Sequence, residues 1–235
     1  MEKTVFFRAF EPEDVDLIHL WKNDDELNEL TVGLNKKTTI EDDQRWLNNI
    51  KNHHPYYAYW AICSKETGKM IGYASLVNIH YINSSAETGA ILIGDPNFND
   101  GYAWIESVLF LFEYAFERLN LNRLYGKSLV GHKISNLVEP LMFMKQEGIL
   151  RQAVYKNGRY YDVSYAGILK SEYEAHKQEG DYKLSAILRR IKQLRKKLVK
   201  HFYSQDRDVR KKEWERIFMI FSPRQELFLN MLTIY

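Results

Sequence analysis

The sequence predicts a mixed α/β fold with several consecutive antiparallel strands, flanking helices and a basic helical extension at its C-terminal end. Three observations carry this. Helix-periodic apolar segments alternate with β-branched and aromatic runs from Thr4 to Leu169. Asn157-Gly158 lies between two strand-like runs, the strongest short signal for a hairpin. Near residue 174 the apolar pattern changes character and the charge changes sign.

Thr4–Phe10 is an aromatic and β-branched run and reads as a strand, and Glu11-Pro12-Glu13-Asp14 supplies the proline and acids that favour a helix start. A helix through Leu17, Leu20 and Trp21 follows. Thr39-Ile40-Glu41-Asp42 has the form of a capping box and opens a second helix carrying Trp46, Leu47 and Ile50. Tyr57–Ser64 and Met70–Ile79 read as strands joined by the turn Lys65-Glu66-Thr67-Gly68. A further strand, Ala86–Ile93, stops at Gly94-Asp95-Pro96, and an apolar-periodic helix runs from about Gly101 to Leu119. Arg123–Leu129 is a strand, Ser135–Met144 a helix, and Leu150–Tyr155 with Tyr160–Leu169 forms the hairpin.

A length of 235 residues allows one full domain and a substantial extra piece. With 45% hydrophobic and 27% charged residues, the composition excludes collagen, low complexity and wholesale disorder. No run approaches a bilayer span, and the start MEKTVFFRAFEPED is acidic where a signal peptide needs an apolar core, so a cytoplasmic protein is expected. Cys63, the single cysteine, excludes an intramolecular disulfide and a multi-cysteine zinc site, and reads as a buried thiol. His53-His54-Pro55 offers no third ligand at metal spacing and reads as a surface loop, so no metal is expected. The net charge of +2 conceals an asymmetry: residues 175–235 hold 15 Lys/Arg and 7 Asp/Glu, or +8, which leaves −6 on residues 1–174. Two units are therefore expected, 1–174 and 175–235.

The informative segment is Ala86–Ala103. A strand ends and turns into a glycine-containing helix start, Phe98-Asn99-Asp100-Gly101-Tyr102-Ala103, an arrangement that presents backbone N–H groups to an anion such as phosphate. This segment is followed by Leu119-Asn120-Leu121-Asn122-Arg123-Leu124, by Glu147-Gly148-Ile149-Leu150-Arg151 and by Asn157-Gly158-Arg159-Tyr160-Tyr161-Asp162-Val163. In that order the segments resemble the GNAT acetyltransferases of the RimJ/RimL type, over about residues 4–172. Trp21-Lys22-Asn23-Asp24-Asp25 and Ile91-Leu92-Ile93-Gly94-Asp95 are most similar to the branch that acetylates small metabolites and nucleotide-linked amino sugars. The resemblance implies a GNAT fold: a splayed, mostly antiparallel sheet holding acetyl-CoA. Pantetheine would lie along Ile91, Leu92 and Ile93, pyrophosphate over Asn99, Gly101, Tyr102 and Ala103, with Ser135 as a further cofactor contact.

Acetyl transfer to an amine needs a neutral nucleophile, a donor to the thioester oxygen and a proton for the departing thiolate. The resemblance puts Glu87 where related enzymes carry the carboxylate base, and strand alternation turns it away from Thr88 and Ala90. A salt-bridged strand glutamate is the alternative. His132 stands where the family has an asparagine contacting CoA or substrate, and Glu139 where it has the tyrosine acid. The chain departs from the family at Phe98 and Asp100, which replace a basic or amide residue and a neutral one. It departs again at Met142-Phe143-Met144, after a Pro140 that shortens or kinks its helix. Trp21, Asp24, Trp46, Tyr56, Tyr57 and His80 are candidate acceptor contacts, with core packing the alternative for the aromatics.

Lys183–Phe202 forms a basic amphipathic helix, with Leu184, Ile187, Leu188, Ile191, Leu194, Leu198 and Phe202 on one face. Ser204-Gln205-Asp206 breaks it before a second helix at Val209–Phe221. The extension is expected to pack on the body or on another subunit, a membrane surface or nucleic acid being the alternatives. The expected function is N-acetylation of a small amine, a nucleotide-linked amino sugar first. A protein N-terminus or a polyamine is the rival acceptor, Asp24, Asp25, Glu26 and Glu29 suiting a polycation, and a non-catalytic CoA-binding module is the rival class.

Overall fold

The computed structural model describes residues 3–29, 31–33, 37–51, 55–98, 101–131 and 139–203, with side chains in the last helix as far as residue 193. The elements in order are β1 (Val5–Arg8), α1 (Val15–Lys22), α2 (Asp25–Asn28), α3 (Ile40–Lys51), β2 (Ala58–Ser64), β3 (Met70–His80) and β4 (Ser85–Ile93). They continue with α4 (Tyr102–Glu113), β5 (Arg123–Leu129), β6 (Lys145–Lys156), β7 (Arg159–Leu169), α5 (Lys170–Gln178) and α6 (Leu184–Tyr203). The strands form a single seven-stranded sheet in the order β1-β2-β3-β4-β5-β7-β6.

Every neighbouring pair in the sheet is antiparallel except β4 and β5. A parallel pair needs a crossover, and α4 supplies it. The β4–β5 ladder is short: Ser85, Ala86 and Glu87 pair with Arg123, Leu124 and Tyr125. Past these residues the described strands form no further β4–β5 pair, and the sheet splays.

Strand alternation sorts side chains onto two faces. On one face Ala74, Leu76, Ala86, Leu124 and Ile168 pack with Ile105, Val108, Leu111 and Phe112 of α4 in one buried cluster. The opposite face packs Phe10, Val15, Ile18, Trp21 and Leu47 against Ala61, Cys63, Tyr73 and Leu92. The sequence places the buried stripe of α1 one position off. Leu17 and Leu20 are exposed, whereas Val15, Ile18 and Trp21 are buried at the i, i+3, i+6 spacing of a helix face.

Ile187 and Ile191 of α6 belong to the same buried cluster as α4. The first turns of the expected extension thus share the core of the body, and α5 runs across the expected boundary at 174/175. The first four residues of the expected Ser135–Met144 helix, 135–138, lie outside the described residues. Its visible end is one helical turn after Glu139, closed by Phe143 at φ +60°. β6 starts at Lys145, five residues before the expected position. Its leading Lys145-Gln146-Glu147-Gly148 carries no apolar alternation and is held by its ladder to β7 across one register shift, between Gln146 and Gly148. The hairpin tip is as expected: Asn157 and Gly158 have φ of 50° and 80°, the pair of positive values a two-residue primed turn needs.

Gly94, just past β4, lies against the indole of Trp21: a β-carbon there would come within 2.2–2.4 Å of three ring atoms. Trp21 is itself pinned against Tyr73. Gly94→Ala is therefore expected to push α1 off the end of β4 and to cost about 1–3 kcal/mol. At roughly 2–4 °C per kcal/mol for a chain of this size, a thermal melt resolves that loss. An unchanged midpoint would show that Trp21 can move aside.

Candidate active site

Past Glu87 and Tyr125 the described β4 and β5 no longer pair, and the inner end of this splay is built from both strands. Glu87 sits on the last β4–β5 pair and is buried, 5% exposed. By alternation it shares a face with Tyr125, Lys127 and Tyr165, opposite to α4. Its two carboxylate oxygens are held separately. Lys127 Nζ of β5 lies 2.9 Å from Oε1, and Asn78 Nδ2 of β3 donates to Oε2 at 2.9 Å. Asn78 reaches it because β3 bulges there: Asn78 has φ 51°, and the β3–β4 register shifts between Val77 and His80. Burial alone would push the Lys127 ammonium down, but Glu87 holds it above the usual lysine value. Burial, then Glu87, pushes the neighbouring Tyr125 phenol up. The sequence reading left Glu87 open between a base and a salt-bridged strand residue, and it is salt-bridged.

Glu139 approaches the same strands from the other face. Ser128 of β5 shares the face of Leu124 and Ala166, and its Oγ lies 3.2 Å from Glu139 Oε1. Burial is the largest influence on this carboxyl and pushes it above the usual glutamate value, partly offset by the Ser128 hydrogen bond. A salt-bridged carboxylate and a desolvated carboxyl thus stand on opposite faces next to the point where β4 and β5 part.

Beyond Glu87, the β4 edge from Thr88 to Ile93 faces the splay. Gly126 of β5 closes its inner end, since a β-carbon there would lie 2.7 Å from Thr88 Oγ1. A second bulge gives this edge its shape: Thr88 pairs with Leu76 and Ile91 with Ala74, so Gly89 and Ala90 together face Ser75. Past β4, Gly101 caps α4 in the left-handed region with φ 85°, a conformation that favours glycine, and the first helical bond runs from Ile105 N to Gly101 O at 3.0 Å. Tyr102 is half-buried, and Ala103 is small and buried. A strand edge with ladder groups turned to a cleft, next to a glycine-opened helix start, suits an extended amide chain ending in a diphosphate.

The remaining sequence candidates divide. Asn99, Asp100, His132 and Ser135 lie outside the described residues, as do His53, His54 and the expected helix Val209–Phe221. Trp21 is a core residue, 4% exposed. The Asp24 carboxylate caps α2 by accepting from Glu26 N and Leu27 N at 2.9 and 3.1 Å. His80 Nδ1 accepts from Asn83 N at 3.0 Å within its own turn, Tyr56 and Tyr57 are exposed, and Trp46 packs against Tyr59 under the Lys22 ammonium. Cys63 is buried, and burial pushes its thiol up. Asp25, Glu26, Glu29 and Asn157 line one concavity where α2 meets the tip of the β6–β7 hairpin. Lys156 ties that tip down by donating to Asn28 O and Thr31 O, the latter at 2.8 Å.

The sequence reading missed Lys127, Asn78 and Ser128. Lys127 stands two residues beyond Tyr125, so alternation places both on one face, but its pairing with Glu87 depends on the parallel β4–β5 register, which no local pattern encodes. No described helix is long and apolar enough to cross a membrane.

The family model of the acetyltransferase (GNAT) domain matches residues 4–138. The chain is 33% identical over 110 residues to the putative ribosomal N-acetyltransferase YdaF of Bacillus subtilis, covering 47% of this chain but 59% of that protein's length. It is 30% identical over 176 residues to a spermidine N(1)-acetyltransferase of Vibrio cholerae, covering 74% of this chain and 97% of the relative. In fold it is similar to the crystal structure of the Vibrio cholerae spermidine N-acetyltransferase in complex with CoA and spermine. The TM-score is 0.67 at 24% identity, over 74% of this chain and 99% of that one.

Proposed function

The chain belongs to the GNAT acetyltransferase family, and from that premise we propose that it moves the acetyl group of acetyl-CoA to a primary amine of a small cationic acceptor of the polyamine class. The observation that carries this is the placement of Glu87 and Glu139 on opposite faces of the sheet, beside the strands that part beyond the last β4–β5 pair. The co-substrate supplies an acyl group activated as a thioester. The Thr88–Ile93 edge and the Gly101–Ala103 helix start would hold its pantetheine and diphosphate.

An acceptor amine arrives as an ammonium and must lose a proton before it can attack. Glu87 takes that proton, directly or through one water. Each carboxylate oxygen offers two lone-pair sites, so the contacts to Lys127 and Asn78 leave one on each oxygen. Lys127 and Asn78 fix the direction in which the group points. The departing thiolate needs a proton in return, and Glu139 gives it; the carboxyl is more fully protonated at a given pH than an exposed glutamate because burial raises it. This acid works below its raised value and is lost as pH rises through it. Exchange with solvent then restores both groups.

The choice of acceptor rests on Asp25, Glu26 and Glu29 around one concavity, and on the polyamine substrate named for the Vibrio cholerae relative. Lys37 already pairs with Asp25 at 2.6 Å, and the attraction for a polyammonium chain and the repulsion of the diphosphate of a nucleotide-linked amino sugar rest on Glu26 and Glu29. A panel of spermidine, spermine, a nucleotide-linked amino sugar and a short peptide with a free N-terminus, read by release of CoA thiol, tests this. The expected order puts the polyamines first. Turnover with the amino sugar alone would overturn the acceptor class and keep the acetyl transfer; silence with every amine would overturn both.

A further inference from the structure

The family match ends at residue 138, one position before Glu139, while the chain continues through α5 and α6. Among the described residues, the helical segment that carries Glu139 ends in a tight turn. Met142 N and Met144 N both donate to Glu139 O, at 3.2 and 2.9 Å, and Phe143 N donates to Pro140 O at 3.1 Å. Phe143 adopts φ +60°, a conformation that costs a residue with a β-carbon about 1–2 kcal/mol. A helix end closed by such a residue persists only where the structure around it holds it.

The region after β7 contacts three consecutive residues of the turn. Arg190 Nη2 donates to Leu141 O at 3.2 Å. Tyr182 Oη donates to Met142 O at 3.2 Å. The Phe143 ring stacks on His176 with centroids 3.5 Å apart, and the Arg190 guanidinium lies 4.7 Å from its centroid. Arg190 is itself fixed, donating from Nη1 to Asp181 Oδ1 at 3.0 Å and from Nη2 to Asp181 O at 2.8 Å, while His176 Nδ1 lies 2.9 Å from Asp181 Oδ2. Leu141 and Met142 are buried in the cluster that also holds Ile187 and Ile191.

We propose that the segment from His176 to Arg190 is a clamp for the acid, with Arg190 and Tyr182 as positioning residues that hold the Leu141–Phe143 turn and so keep Glu139 against Ser128. This rests on the reading of Glu139 as the acid. It gives the start of the extension a part in turnover, distinct from any partner of the basic residues further along.

A double-mutant cycle in the full-length chain tests the clamp. Arg190→Met and Tyr182→Phe are each made in the wild-type and Glu139→Gln backgrounds, and kcat is measured with the same amine and saturating acetyl-CoA. In the wild-type background Arg190→Met is expected to lower kcat roughly tenfold, within the ~10²-fold that a displacement of about 1 Å costs, with KM for the amine unchanged. Tyr182→Phe, which removes one hydroxyl and is the safer variant for folding, is expected to lower it less. Neither lowers kcat further once Glu139 is glutamine. Equal losses in both backgrounds, or no loss from either variant, would overturn the clamp and leave the acid in place. A fully active Glu139→Gln single variant would overturn the acid reading and the clamp with it.

Discussion

Glu87→Gln is expected to lower kcat/KM for the amine by about 10²–10⁴-fold, the range assigned to loss of a positioned general base, while acetyl-CoA affinity stays at its wild-type value. Glutamine keeps the size of the side chain and an oxygen that can accept from Lys127 or Asn78, so the strand junction survives. What it loses is the ability to take a proton. The ammonium of Lys127 is freed, but its side chain is one-third exposed and can turn to water. The fold therefore tolerates the change, and the activity does not. Steady-state rates over a range of amine concentration, with acetyl-CoA binding followed separately by calorimetry, separate the two effects. Wild-type turnover in the variant would remove Glu87 from proton transfer and leave it a structural partner of Lys127.

Asp43→Ala is expected to be the most destabilising of these substitutions. Asp43, in the first turn of α3, is 1% exposed and faces α1. Its Oδ2 accepts from Thr38 Oγ1 at 2.7 Å and lies 2.8 Å from His19 Nδ1, and its Oδ1 accepts from Lys22 Nζ at 3.0 Å. Burial alone would raise this carboxyl, but His19, Thr38 and Lys22 together hold it below the usual aspartate value. On the other side, burial pushes the Lys22 ammonium down despite Asp43. Alanine leaves that ammonium over the Trp46 ring without its counter-ion. Breaking a buried pair from one side costs roughly 3–5 kcal/mol, and because Lys22 retains some exposure a value of about 3 kcal/mol is expected. The melting midpoint then falls by roughly 6–12 °C. The depressed carboxylate also fixes the pH window. Its contribution is complete above the unfolded aspartate value near pH 4 and is lost as pH falls through the lower folded value. The variant and the wild type should therefore converge in stability in acid; a gap that stays constant down to low pH would contradict the assignment.

Much of the fold could be read from local chemistry. Pro12 behind Glu11, the Asn157-Gly158 turn and the stop at Gly94-Asp95-Pro96 act through backbone preferences that travel with the residue. What could not be read depends on tertiary pairing. β6 is an exposed edge strand made by its ladder to β7, so its leading Lys145–Gly148 shows no strand alternation of its own. The buried stripe of α1 follows Ile18 because β2 and β3 lie on that side, and Leu20 would serve a helix in isolation equally well. At the proposed site, Glu87 stands out in the sequence only through the family resemblance, and its partner Lys127 is forty residues away and meets it through the parallel β4–β5 pairing. Arg190 looked like one more cation on a basic helix. Its contacts to Asp181, Leu141 and Phe143 come from the way α6 returns over the Glu139 turn.

The proposed acetyl transfer puts acetyl-CoA where β4 and β5 part, with its diphosphate at the Gly101 helix start. A thermal melt of the full-length protein with increasing acetyl-CoA tests that most directly. A ligand at about one hundred times its dissociation constant adds roughly 2.7 kcal/mol to the native state. For a chain of this size the midpoint should rise by about 5–10 °C at saturation. A cooperative melt whose midpoint does not move at millimolar acetyl-CoA would contradict the assignment of the cleft.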